Sequence, residues 1–99
     1  MAKKGTDFKE YLDENLRDPE FAAMFLSNAI EEGDEAFLAG ALADVVRIHG
    51  VAKVASESGI ARQALYKMLS AEGNPSYKNI VKILDVLGLE VVFQNKKSS

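Results

Sequence analysis

The chain has 99 residues, 47% of them hydrophobic, and a formal net charge of −3. That length suits one domain with a small core, to which dimerisation would add buried area. It holds no cysteine and a single histidine, His49, which excludes disulfides and thiolate metal sites, so neither a metal nor a cofactor is expected.

No apolar run approaches the roughly 20 residues that span a bilayer. The chain opens with Lys3 and Lys4 but lacks the apolar stretch of a secretory signal. A cytoplasmic protein with no membrane contact is the expectation. Taken in order, Thr6 is placed to cap a first helix, with Phe8, Tyr11, Leu12 and Leu16 at helical spacing. Asp18-Pro19-Glu20 is a strong helix start, since it combines a capping oxygen, a pre-set φ and an acid at the positive dipole end. The second helix carries Phe21, Met24, Phe25 and Ile30 inward, and Gly33 ends it. Asp34 caps a third, with Phe37, Leu38, Ala41, Leu42, Val45 and Ile48 inward, ending near Gly50. Helices 6–49 thus precede a motif at 51–70.

Within that motif, small Ala55 stands four residues before Gly59, and Ile60 follows directly. Ala55 allows close approach of two helices, and Gly59 accepts a positive φ in a tight turn. Val54, Ile60, Leu65 and Met68 form an inward face, leaving Arg62, Gln63, Tyr66 and Lys67 outward on the second helix. This is a helix-turn-helix reading, in which the second helix lies in a DNA major groove. Its helices are expected over about 52–58 and 61–70. Ala52 and Ala61 then fall at N-caps, where neither supplies a capping oxygen, a loss of about 1 kcal/mol each. Residues 71–75 break structure, Ser76 caps a last helix over 76–87 with Ile80, Ile83, Leu84 and Leu87 inward, and Gly88 stops it.

At 89–93 the period changes to that of a strand, with Leu89, Val91 and Phe93 on one face. No other segment reads as a strand. The piece therefore pairs with its twin in a two-fold dimer, packs on the helices, or frays; pairing is the favoured reading. The class expected is all-α, a helix-turn-helix bundle with extra N-terminal helices and one short C-terminal strand.

Charge is unevenly divided. Residues 1–50 carry five basic and eleven acidic side chains, a net of −6. Residues 51–99 carry seven basic and four acidic, a net of +3. One half suits a polyanion and the other a cationic partner, unless the acids only solvate the surface. Arg62 and Gln63 open the second motif helix, where base edges are reached: arginine suits guanine and glutamine adenine, though both can also meet phosphate alone. Tyr66 suits a thymine methyl or a phosphate, or is a half-buried aromatic. Lys67 is a phosphate clamp, and Lys53, Ser76 and Lys78 lie near helix N-termini, which favour anions. Glu-Gly-Asn-Pro at 72–75 is most simply a turn, with a DNA contact from Asn74 the lesser reading. No nucleophile–base constellation is visible, so an enzyme is not expected.

The segment SESGIARQALYKMLSAEGNPSYKNIVKILDVLGLEVVF resembles bacterial addiction-module antidote proteins, antitoxins with a lambda-repressor-like helix-turn-helix. Gly59, Arg62, Leu65-Tyr66-Lys67, Leu69-Ser70 and Glu72-Gly73-Asn74-Pro75 match that family's pattern as they stand, while Ala61 and Gln63 depart from its usual Ser and Glu. The resemblance implies neutralisation of a small, basic toxin encoded alongside, often an mRNA endonuclease of the RelE superfamily. It also implies repression of the chain's own operon, more tightly as a complex with the toxin; the dimer expected from the strand would set two recognition helices about 34 Å apart on operator double-stranded DNA. The acidic half then acquires a use, and Glu31, Glu32, Asp34 and Glu35 are the candidates for docking the toxin. A stand-alone repressor without a toxin is the alternative; a pure protein-binding inhibitor with a vestigial motif is the other.

Overall fold

A computed structural model describes residues 4–33, 35–70 and 75–96, with the side chains of residues 4–7, 9, 35 and 36 outside that description. Among the described residues there are six α-helices and no strand: α1 (Lys4–Leu16), α2 (Pro19–Glu31), α3 (Glu35–His49), α4 (Val51–Ser58), α5 (Arg62–Met68) and α6 (Tyr77–Val86). The expected cap at Asp34 and the 71–74 part of the turn lie outside the described residues.

Local chemistry accounts for most helix ends. Asp18 is extended (φ −84°, ψ 121°), and its carboxylate accepts the Glu20 N–H at 3.1 Å while Pro19 opens α2. Ser76 Oγ accepts the Asn79 N–H at 3.2 Å and so caps α6. At its other end the Gly88 N–H donates to the Asp85 carbonyl (3.1 Å) and the Leu89 N–H to that of Leu84 (2.8 Å). This is the paired bonding of a Schellman stop. Thr6, in contrast, is not at the N-cap position: α1 begins at Lys4, and a cap requires the extended backbone that a helical residue lacks.

Between α3 and α4 the chain turns on Gly50 alone. Its φ of 112° is open to glycine and strained for any side chain. Its N–H closes α3 on Val46 (2.8 Å), and its carbonyl accepts the Val54 N–H (2.9 Å) to open α4. Ala52 is therefore inside α4 and not at its cap, and the capping loss expected there does not arise. Ala61 is at the N-cap of α5 and makes no side-chain bond, as expected. Between them Gly59 (φ 79°) gives its N–H to the Ala55 carbonyl at 3.0 Å, and Ser58 Oγ accepts the Ile60 N–H at 3.2 Å. The second helix of this pair is shorter than the expected 61–70, since the Ser70 hydroxyl bonds the Lys67 carbonyl (2.8 Å) past its end.

All six helices feed one apolar cluster. Val54, Leu65 and Ile83 are fully buried at its centre, and Ile60, Met68 and Leu87 close over them. Each such large side chain contributes about 1.5–3 kcal/mol by leaving water. The four residues expected to clamp the 51–70 motif are all in this cluster. In the N-terminal helices the buried stripe differs from expectation. Alanines do much of the packing there: Ala22, Leu26 and Ala29 of α2 meet Ala41, Leu42, Val45 and Val46 of α3. Phe8, Tyr11, Met24, Ile30 and Phe37 are each more than half exposed instead of inward. Close helix approach over alanines leaves the bulky side chains beside the seam. Arg47 ties α3 to α1, with Nη2 at 3.2 Å from Asp13 and 3.6 Å from Asp44. The hydrogen bond that the guanidinium donates to Asp13, helped by both carboxylate charges and opposed by partial burial, raises Arg47 above its ordinary pKa.

The strand expected at 89–93 does not form within the chain. A strand needs a hydrogen-bonded neighbour, and the described residues provide none. Leu89 packs half-buried against the core, whereas Val91, Val92 and Phe93 are exposed, Phe93 to 92%.

Candidate nucleic-acid interface

The α5 helix packs on α4, which in turn packs on α3 and α6. Leu65 and Met68 pin its inner side to the core, and Arg62, Gln63, Tyr66 and Lys67 are all exposed. These positions fall at i, i+1, i+4 and i+5, so helical geometry sets them on one side of α5. Two of them are cations, one is an amide with both donor and acceptor, and one is a phenol. Ala61, with no side chain beyond Cβ, keeps the start of α5 clear, and no side-chain oxygen occupies its first N–H groups.

The α4 helix also starts bare, with no side-chain bond at its N-cap, and Lys53 stands exposed in its first turn. The structure places Lys53 with an arginine and a histidine that sequence spacing does not connect. Arg17 after α1 and His49 at the end of α3 line the same cleft, about 250 Å³ in volume, as Lys53. Only the packing of α1 against α3 brings 17 near 49 and 53, so no linear pattern signals it. Ser76 and Lys78 are both exposed at the start of α6; the Ser76 oxygen is engaged as a cap, which leaves its hydroxyl proton to donate. Tyr77, also exposed there, was not singled out by the sequence reading. Asn74 lies outside the described residues.

The opposite charge sits elsewhere. Residues 18–46 contain seven acidic side chains and no lysine, arginine or histidine. Glu31 and Glu32 are exposed at the end of α2, with Glu32 on the rim of an open groove between α2 and α3. Asp34 and the Glu35 side chain lie outside the description. By comparison, residues 51–70 hold Lys53, Arg62 and Lys67 against the single acid Glu57. No helix among the described residues is long and apolar enough to cross a membrane.

The molecule is thus a small helical protein with two surfaces of opposite charge on adjoining helix pairs. Its sequence matches, over residues 4–95, the family of probable addiction module antidote proteins, and the chain belongs to that family. An antidote is the antitoxin half of a toxin–antitoxin system, and its partner is a toxin. A relative from Haemophilus influenzae, an uncharacterized protein, is 30% identical over 84 residues, which cover 85% of this chain and 87% of the relative. No solved structure matches the chain.

Proposed function

We propose that this antitoxin acts by binding at two surfaces, neutralising its toxin with the acidic α1–α3 half and repressing its own operon with α5. The observation that carries the second activity is the exposed quartet Arg62, Gln63, Tyr66 and Lys67 on a helix locked from behind by Leu65 and Met68. In this reading α4 and α5 are a helix-turn-helix of the lambda-repressor type. Arg62 and Gln63 meet base edges, and Lys67, Lys53, Ser76 and Lys78 meet phosphates. Two copies, paired through Leu89, Val91 and Phe93, set their α5 helices about 34 Å apart on a palindromic operator. The exposed Val91, Val92 and Phe93, apolar and unpaired within the chain, support that pairing. The toxin is a basic protein, an mRNA endonuclease of the RelE superfamily, and binding rather than catalysis neutralises it.

Expression of the adjacent short reading frame, with and without this chain, tests the antitoxin half: arrest relieved by this chain alone supports it. Shift of the chain's own promoter fragment, abolished by excess unrelated DNA only for an Arg62→Ala variant, tests the repressor half. Absence of promoter binding by the unsubstituted chain would leave a pure protein inhibitor.

A further inference from the structure

We infer that the toxin seats an apolar side chain, carried on a basic segment, in the open groove between α2 and α3. This rests on the antitoxin reading and adds where, and by what chemistry, the toxin is held. The groove has a volume of about 600 Å³, with Phe25, Phe37 and Gly40 among its lining residues and Glu32 and Asp44 at its polar edge.

Three observations converge on it. Phe37 is 53% exposed on α3, an aromatic left in water by its own chain although the core is a helix turn away. Gly40 occupies the interior of α3, where glycine disfavours the helix. Nothing among the described residues requires a glycine there: its φ is not positive, and an added Cβ would meet none of their heavy atoms within 4 Å. What the missing side chain does is keep the groove open for something from outside. The charge around it then selects the occupant. The whole stretch 18–46 lacks a cation, and the arginine that follows, Arg47, turns toward α1 to meet Asp13 while reaching Asp44 at 3.6 Å.

A second copy of this chain fits poorly. A two-fold contact through the groove would set Glu32 and Asp44 against the same acids, a like-charge cost that Arg47, shared between Asp13 and Asp44, only partly offsets. Nucleic acid is excluded on the same ground. A basic amphipathic segment satisfies both features at once: an apolar anchor takes the space above Gly40 beside Phe37, and lysines or arginines meet the acidic edge.

The test uses the full chain and the purified product of the adjacent reading frame, with affinity read by calorimetry. Gly40→Leu fills the groove from its floor. It is expected to weaken toxin binding at least tenfold without lowering the thermal midpoint, because leucine favours a helix and meets open space. Phe37→Ala removes a wall and is expected to weaken binding similarly; it decides the matter if Gly40→Leu lowers the midpoint. Glu32→Lys is expected to weaken binding severalfold, more at low salt than at high. Full affinity in both Gly40→Leu and Phe37→Ala overturns the inference while leaving the antitoxin reading intact. So does a Gly40→Leu chain that loses self-association in sedimentation yet still binds toxin. If the unsubstituted chain fails to bind the product at all, the antitoxin reading itself falls and takes the groove with it.

Discussion

The α2–α3 and α4–α5 pairs are built by the same local device and present opposite chemistry. In each, a glycine at positive φ, Gly33 at 73° and Gly59 at 79°, follows the first helix and turns the chain toward the second. Each pair buries a stripe of apolar residues. The difference lies wholly in what faces out. Around Gly33 the exposed charges are all negative and large apolar side chains stand in water; around Gly59 they are mainly positive, and the large apolar residues Leu65 and Met68 are inside. A tight turn therefore fixes how two helices meet without fixing what they bind. On the proposed reading, the partner is chosen by residues that contribute little to the fold.

Substitutions that separate these two layers sharpen the comparison. The largest effect is expected from Leu65→Ala, which empties a fully buried site shared by α4, α5 and the core. It should cost about 2–5 kcal/mol and lower the midpoint by roughly 10 °C or more, with promoter binding lost because α5 is no longer held. Next comes Arg62→Ala, which touches only the outer layer. It should weaken promoter binding by about 1–3 kcal/mol and relax base preference, with the midpoint and toxin affinity unchanged in parallel melts and titrations. Ala61→Ser adds the capping oxygen that α5 lacks and should raise stability by up to about 1 kcal/mol in urea unfolding. The smallest effect belongs to Arg47→Ala. Its ion pairs are largely exposed, so the loss should be about 0.5 kcal/mol and should shrink further in high salt.

Much of the frame was legible because it rests on local chemistry. Asp18-Pro19 and Ser76 cap as their side chains dictate, and the core of the 51–70 segment follows from spacing alone. The failures share a cause. Helical period identifies an apolar sector but not which edge of it meets a neighbour, and weighting by size favoured Met24, Ile30 and Phe37 over Ala22 and Ala29. Where two helices approach over alanines, the small residues are the interior. Thr6 and Ala52 were misplaced for a different reason: a cap is defined by backbone, and Gly50 took the role beside Ala52. Of the candidate surface, the α5 face could be read from four residues within one short helix. The Arg17–His49–Lys53 cleft and the Phe37–Gly40 groove could not, since each joins residues from separate elements through packing.

The central claim is that the two helix pairs serve two partners. Amide hydrogen exchange of the full chain, once with its promoter DNA and once with the product of the adjacent reading frame, tests it most directly. Added protection in α5 and the first turn of α4 with DNA, and in α2 and α3 with the protein, is the expected result. Protection of the same helices by both ligands, or of α2 and α3 by DNA, would contradict it.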